Sequence, residues 1–182
     1  MRYAMLVNSR SGNTKMLADA IEIALKTDGA ECVCAMDIAD DVCSAALTDE
    51  TERVLAADAV LVGFWCDKGT CSTSVAELLK RLAGKRVFLF GTCGFGGSEE
   101  YFQQIIDRVA AALPESAKLV GSFMCQGKMG PGVRARYEAV LAENPDDPRA
   151  QAMIRNFDAA IAHPDTSDLT AAAASVIAAV GL

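Results

Sequence analysis

The sequence is poor in histidine and has no C-x-x-C pair. Its one histidine, His163, excludes sites built from several imidazoles, such as a His-rich zinc centre. His163 follows a helical stretch and precedes Pro164, so we expect a residue at a helix C-terminus rather than a catalytic base. Seven cysteines is an odd number, so they cannot all pair within the chain, and none has the C-x-x-C spacing of a zinc ribbon or thioredoxin-type dithiol.

Long hydrophobic runs are also missing. The apolar run near the N-terminus is too short for a signal-peptide core. The stretch Leu169–Leu182 is shorter than the roughly 20 residues that span a bilayer. We therefore expect no membrane partner and a cytoplasmic protein with reduced thiols.

Positive charge is in the minority, because 17 basic side chains face 24 acidic ones and the net charge is −7. A phosphate-backbone footprint needs clustered Lys and Arg, so nucleic acid is excluded as a partner. A basic partner protein is more plausible. The acidic groups that we expect to steer it are the clusters Asp37/Asp40/Asp41, Asp49/Glu50/Glu52 and Glu99/Glu100.

The chain is otherwise rich in apolar residues, at 52% of its 182 positions, and predicts one folded domain over residues 1–182. Short apolar runs alternate with segments of helical period, which indicates an α/β fold with a parallel sheet buried on both faces. The predicted strands are Tyr3–Val7, Cys32–Met36, Ala59–Gly63, Val87–Phe90 and Leu119–Cys125. The second and fifth carry more polar residues, which suits edge positions.

Helices are predicted between these strands and after the last one. Ser74 and Glu77 predict a capping box at the start of the helix that follows the third strand. The C-terminal segments Val133–Leu141, Ala150–Ala162 and Leu169–Val180 are additional helices. We expect them to pack on the sheet, and the alternative is an amphipathic tail that binds a partner.

The loop after the first strand has the composition of a phosphate cradle. Ligands of open parallel sheets bind beyond the carboxyl ends of the strands, so the loops after strands one, three and four are candidates. The first of them, Asn8–Thr14, offers three hydroxyls, a glycine and the free N–H groups of a helix N-terminus. It matches neither the Walker A pattern nor the dinucleotide G-x-G-x-x-G pattern, and it lacks a phosphatase cysteine.

This loop, with the sequence Ser9-Arg10-Ser11-Gly12-Asn13-Thr14, resembles the FMN phosphate loop of flavodoxins. The resemblance extends in element order over roughly the first 125 residues. It implies a doubly wound five-stranded parallel sheet of order 2-1-3-4-5 that holds FMN non-covalently by the loops after strands one, three and four.

The resemblance also implies flavin contacts in the other two loops. In the second loop Trp65 would stack on the flavin ring, and Trp65-Cys66-Asp67 resembles the Trp-Gly-Asp of some flavodoxins, with Cys66 in place of glycine. Either Cys66 or Gly69 is the turn residue. In the third loop Phe95 stands where many flavodoxins have a tyrosine. The residues expected at the flavin are Phe64, Trp65, Cys66, Asp67, Lys68 and Gly69 from the second loop, and Thr92, Cys93, Gly94, Phe95 and Gly96 from the third.

Four cysteines fall at or beyond the carboxyl ends of strands, namely Cys66, Cys71, Cys93 and Cys125. Four thiolates are the number that an iron–sulfur cluster uses, but this spacing matches no common ligand run. Two other readings are a Cys66–Cys71 disulfide and ordinary packing of small buried side chains. No metal ligand is assigned.

The function that the resemblance implies is electron transfer to a partner reductase, with FMN carrying the chemistry. An acidic surround would disfavour a negatively charged reduced flavin. Small flavodoxin-like proteins of anaerobes sometimes accompany flavin and iron–sulfur reductases, including bilirubin-type reductases, and this suggests a partner class. The alternative is an FMN-dependent oxidoreductase that acts directly on a small molecule such as a quinone. A flavin-free signalling module is disfavoured, because Asn8-Ser9 and Gly63-Phe64 stand where a receiver domain needs carboxylates.

Overall fold

The computed structural model describes residues 1–40 and 51–181 of the chain. The strands are β1 (Arg2–Val7), β2 (Glu31–Asp37), β3 (Ala59–Trp65), β4 (Arg86–Cys93) and β5 (Lys118–Gln126). The helices are α1 (Asn13–Thr27), α2 (Thr51–Ala56), α3 (Thr73–Leu79), α4 (Glu99–Ala110), α5 (Pro131–Glu143), α6 (Pro148–Ala160) and α7 (Thr166–Val180). None of the helices in these ranges is long and apolar enough to cross a membrane.

The five strands form one parallel sheet in the order β2-β1-β3-β4-β5. This confirms the predicted fold class and the edge positions of β2 and β5. Because every strand runs the same way, all five carboxyl ends meet at one edge of the sheet. At the opposite edge the Gly84 amide donates to the Ser116 hydroxyl at 3.1 Å.

The sheet is covered on both faces, because alternate strand residues point to opposite sides. In β1, Ala4 and Leu6 join one core cluster while Tyr3 and Met5 join the other. Helices α2, α3 and α4 contribute to the first cluster, and α1 and α7 contribute to the second. Val176 of α7 is fully buried there, so the prediction that C-terminal helices pack on the sheet is correct for α7.

Helices α5 and α6 instead pack on each other. No residue of α5 is buried, because its charged and polar side chains surround the helix without leaving an apolar face. The Arg134 guanidinium pairs with Asp158 of α6 and lies over the Phe157 ring at 5.7 Å. His163 lies in the turn between α6 and α7, where its Nδ1 contacts Asp168 at 2.5 Å.

The structure corrects three local predictions. Helix α3 is capped by the Ser72 hydroxyl, which accepts from the Val75 amide at 3.4 Å, so the predicted capping box at Ser74 and Glu77 is wrong. The Ser74 hydroxyl donates to the Asp40 carbonyl instead. Strand β3 continues through Trp65, and β4 continues through Cys93. Both strands therefore extend into what the sequence predicted as loops.

Candidate functional site

A cleft of about 970 Å³ opens at the carboxyl edge of the sheet. Its walls come from the ends of β1, β3, β4 and β5, with α4 and α5 at the sides. The residues that line it are Arg10, Ser11, Asn13, Trp65, Cys66, Asp67, Lys68, Gly69, Thr92, Cys93, Gly94, Phe95, Tyr101, Arg108, Gly127, Lys128, Met129, Gly130, Val133, Arg136 and Tyr137.

The loop after β1, of which Arg10, Ser11 and Asn13 line this cleft, carries backbone donors that lack an acceptor in the part of the protein that the structure describes. Gly12 is the N-cap of α1, with φ of 87° and no side chain to cap the helix. Within the described residues, the amides of residues 9–14 donate to no protein acceptor. The Ser9 hydroxyl accepts from the amide of Lys15, in the first turn of α1, at 3.2 Å. A row of free amides at a helix N-terminus is an arrangement that binds anions.

This loop is held in place from two sides. The Asn13 side-chain amide donates to the Ser11 hydroxyl at 3.1 Å and to the Lys128 carbonyl at 2.9 Å. The Thr14 and Thr92 hydroxyls are 2.9 Å apart and buried, which joins the first loop to the end of β4. The free amides therefore belong to a loop that is fixed by the segment after β5 and by the end of β4.

Trp65, the one tryptophan of the chain, stands half-exposed at the end of β3. Its indole N–H donates to the Asp40 carboxylate at 3.1 Å, and the Asn8 side chain donates to the same oxygen at 2.9 Å. These bonds from Asn8 and Trp65 lower the pKa of Asp40. The Arg10 guanidinium lies 5.3 Å from the centre of the indole ring. Both the edge and one face of the indole are thus held by polar neighbours.

The second loop turns at Lys68 and Gly69, whose φ angles are 49° and 84°. Asp67 and Thr70 exchange backbone hydrogen bonds of 2.8 and 3.0 Å across this turn. Two successive residues with positive φ are typical of a type I′ hairpin turn. Of the two turn residues that the sequence left open, Gly69 is therefore the one used, and Cys66 needs no left-handed backbone.

The third loop is held by a side chain from α6. Asn156 donates to the Gly94 carbonyl at 2.8 Å and accepts from the Gly96 amide at 2.9 Å. Phe95, between those two contacts, is 47% exposed and meets the Tyr101 ring edge-on at 6.2 Å. The aromatic face at this side of the cleft thus stands on a loop whose backbone is fixed by the C-terminal addition.

Two of the four cysteines singled out from the sequence meet in the cleft. The side chains of Cys66 and Cys93 interact, which raises the pKa of Cys66 and lowers that of Cys93 to about 7. Burial raises the pKa values of Cys71 and Cys125. Cys125 belongs to the core cluster on the other face of the sheet, so the four thiols do not converge. All four are free.

The charge of the cleft is opposite to that of the whole chain. Among the described residues that line it, Asp67 is the one acid, whereas five are basic, namely Arg10, Lys68, Arg108, Lys128 and Arg136. The expected acidic surround is therefore wrong for the described residues. Of the acidic clusters, Glu52, Glu99 and Glu100 are exposed away from the cleft. Asp40 accepts a hydrogen bond from the Trp65 indole. The other acids, Asp41, Asp49 and Glu50, lie outside the described residues.

Most of the residues expected at a cofactor are brought together by the fold. Five of them do not line the cleft. Phe64 is fully buried in the core, Thr14 is buried beneath the first loop, and Ser9, Gly12 and Gly96 shape the backbone nearby. Sequence reasoning missed the wall from residues 127–137 and the α4 residues Tyr101 and Arg108. The run Gly127–Gly132 follows the carboxyl end of β5, so the rule that selected the other loops also applies to it.

Comparison with known proteins agrees with this architecture. A family model described as a flavodoxin domain matches residues 4–177. The flavodoxin-like domain-containing protein BilS of Clostridium symbiosum (strain WAL-14163) is 42% identical over 178 residues, which cover 94% of this chain and 92% of that protein. BilS of Clostridioides difficile (strain CD3) is 30% identical over 169 residues, covering 93% and 90%.

Among solved structures, a flavodoxin from the domain Archaea superposes with a TM-score of 0.50 at 18% identity, over 88% of this chain and 96% of its own. That likeness concerns the fold. The family assignment rests on the model that covers nearly all of the sequence and on the two relatives. The chain belongs to the flavodoxin-domain family.

Proposed function

We propose that this protein binds FMN non-covalently in the cleft and transfers electrons between that cofactor and a partner protein. The observation that carries the proposal is the row of amides in residues 9–14, which have no acceptor in the described part of the protein and stand at the N-terminus of α1. A phosphate monoester supplies the acceptor oxygens that such a row lacks, and the helix dipole favours its charge.

The rest of the cleft also fits FMN. Its volume of about 970 Å³ lies at the upper end of the range of roughly 300–1,000 Å³ that is typical of small-molecule sites. Trp65 and Phe95 supply aromatic surface for a planar ring. When bound, FMN would supply the capacity to accept and release electrons.

The residues of the chain would position the cofactor and set its electrostatic environment. Asp40 fixes the indole of Trp65 by accepting its N–H, so the stacking surface is oriented beforehand. The basic lining residues favour added negative charge in the cleft. That effect would make the bound cofactor easier to reduce, which is opposite to the effect expected from an acidic surround.

The partner that we propose is a flavin and iron–sulfur reductase of the bilirubin-reductase type, the class that the sequence resemblance suggests. The basic residues at the cleft mouth, Arg10, Lys68 and Arg136, would match an acidic docking surface on that partner. This differs from the basic partner that the net charge suggested.

The test compares FMN with riboflavin, which has the same ring but no phosphate. Each ligand is titrated into the purified protein while the fluorescence of Trp65 is followed. Three or more charge-assisted hydrogen bonds at about 1.5–3 kcal/mol each predict that FMN binds at least about 1,000-fold more tightly than riboflavin. Equal affinities, or no quenching by either ligand, would refute the phosphate cradle.

A direct oxidoreductase is the second candidate function. The observation that favours it is the wall formed by Val133, Arg136 and Tyr137 of α5, which encloses space beside the loops that would hold FMN. Steady oxidation of NAD(P)H by the FMN-loaded protein with a quinone would support this candidate. Electron transfer to a partner protein without such turnover would support the carrier.

A further inference from the structure

Cys66, the residue directly after β3, lies beside Cys93, the last residue of β4. The last residues paired between β3 and β4 are Trp65 and Thr92, and the Cys66 amide still donates to the Thr92 carbonyl at 2.8 Å. The residue that follows each member of this last pair is a cysteine. Adjacent strands are about 4.8 Å apart, which lies within the separation of roughly 4.4–6.8 Å that a disulfide requires between Cα atoms.

Both thiols are on the same side of the sheet and reach the cleft. Cys93 is part of the core cluster against which Cys66 packs, and both line the cleft wall. Cys93 is 5% exposed and Cys66 is half-buried. A small reagent in the cleft therefore meets two thiols whose side chains already interact.

The surroundings make the two cysteines unequal. The Phe95 amide, the Tyr101 hydroxyl and the Cys66 thiol all stabilise negative charge on the Cys93 sulfur, while burial opposes it. Cys66 is the partner whose proton is held more firmly. The Arg108 guanidinium of α4 lowers the pKa of Cys66 and so works against this difference, but the contact with Cys93 and burial outweigh it. This asymmetry gives one thiol the character of a nucleophile and the other that of a resolving thiol.

We propose that Cys66 and Cys93 form a redox-active dithiol in the cleft wall, which a hydroperoxide converts reversibly into a cross-strand disulfide. Cys93 is the attacking thiol and Cys66 resolves the product. The inference does not rest on the proposed cofactor, because both reacting groups belong to the chain.

The reaction with hydrogen peroxide balances in two steps. The Cys93 thiolate sulfur attacks one peroxide oxygen, the O–O bond breaks, and hydroxide leaves, so that Cys93 becomes a sulfenic acid. The Cys66 sulfur then attacks the Cys93 sulfur, the S–O bond breaks, and the hydroxyl leaves with the Cys66 proton as water. In total, two thiols and one hydrogen peroxide give one disulfide and two waters. A dithiol such as dithiothreitol reverses the change by thiol–disulfide exchange.

The first test treats the full-length protein with one equivalent of hydrogen peroxide and follows its intact mass. We expect a loss of about 2 Da and of two titratable thiols, a Cys66–Cys93 peptide on digestion, and full recovery with dithiothreitol. Cys71→Ser and Cys125→Ser are the matched controls, and both should form the same disulfide. A disulfide through Cys71 or Cys125, or no loss of thiols, would overturn the proposal.

The second test separates the roles of the two thiols. In Cys66→Ser, peroxide should leave Cys93 as a sulfenic acid that oxidises further, whereas Cys93→Ser should leave Cys66 unreacted. Alkylation of Cys93 should reach half its maximal rate below the ordinary thiol pKa of about 8.5. That midpoint should rise in Cys66→Ala and return toward its original value in Cys66→Ser, which restores a donor. The same midpoint in all three proteins would contradict the assignment of Cys93 as the activated thiol.

Discussion

Lys68 stands out among single residues, because it is the non-glycine residue with a left-handed φ in the described chain. Its backbone is set by the bonds between Asp67 and Thr70 on either side, and a side chain in this conformation costs about 1 kcal/mol. Arg108 covers the adjacent Gly69, with its guanidinium 3.3 Å from where a Cβ on that glycine would lie. The turn therefore has a strained backbone at Lys68, and the Arg108 guanidinium covers the residue that follows it.

Replacing Lys68 by asparagine should stabilise the protein. Asn-Gly is the preferred pair in a type I′ turn, because asparagine tolerates positive φ. We expect the free energy of unfolding to rise by about 0.5–1 kcal/mol, as measured by urea denaturation. Lys68→Val is the matched comparison and should lower it, because a β-branched residue is disfavoured at this φ. Equal stabilities of the two variants would show that this backbone is not strained.

Among the elements, the α5–α6 pair takes part directly in building the site. Helix α5 forms one wall of the cleft, and α6 holds the third loop through Asn156. The backbone between Lys128 and the turn after α6 is tied by the bond from the Lys128 amide to the His163 carbonyl at 2.8 Å. An addition to the five-stranded core thus positions two of the segments that surround the cleft.

Asn156→Ala should loosen the third loop, because the Gly94 carbonyl and the Gly96 amide both lose their partner. We expect a loss of about 1–3 kcal/mol in the free energy of unfolding and weaker FMN binding in the fluorescence titration. Asn156→Asp keeps the acceptor for the Gly96 amide. Its stability and its affinity for FMN should therefore lie between those of Asn156→Ala and the wild type. Arg155→Ala, at an exposed position of the same helix, is the control and should change neither quantity.

Uninterrupted apolar runs such as Leu61–Gly63 predict the strands well, because such runs have few other ways to be buried. The order of the strands follows from the resemblance to flavodoxins and from the polar residues that suit β2 and β5 to the edges. The runs do not predict that β3 and β4 extend through Trp65 and Cys93, because a glycine, Gly63 or Gly91, stands at the end of each run. A Cβ at Gly91 would lie 2.9 Å from the Phe64 ring, so this glycine lets a core side chain pack between strands. The roles of Asn156 and Tyr101 depend on tertiary contacts that local sequence does not encode.

At the scale of the whole molecule, charge is distributed unevenly. The chain has a net charge of −7, yet the part of the cleft lining that the structure describes has five basic residues and one acid. Local charge outweighs distant charge in salt, because exposed charges more than about 8 Å apart are largely screened at physiological ionic strength. The basic residues at the cleft therefore attract an anion there, although the protein as a whole is negatively charged.

The difference between the charge of the cleft and the net charge of the chain predicts how FMN binding depends on salt. Raising the salt concentration from 50 to 500 mM should weaken FMN binding several-fold, because the nearby cations are screened. A protein acting through its net charge would show the opposite trend. Arg136→Gln should weaken the salt dependence. Lys26→Gln, a change at a surface lysine paired with Glu22 at 3.0 Å, should leave it unchanged, and an equal effect of the two variants would contradict local control.

The parallel sheet also has a practical consequence for handling the protein. All strands end at the cleft edge, while the Gly84–Ser116 contact marks the opposite edge. A chemical anchor attached beside Ser116 would hold the molecule on an electrode with its cleft facing the solution. An anchor at Lys68 would cover the cleft. The orientation of an immobilised layer can therefore be chosen by the site of attachment alone.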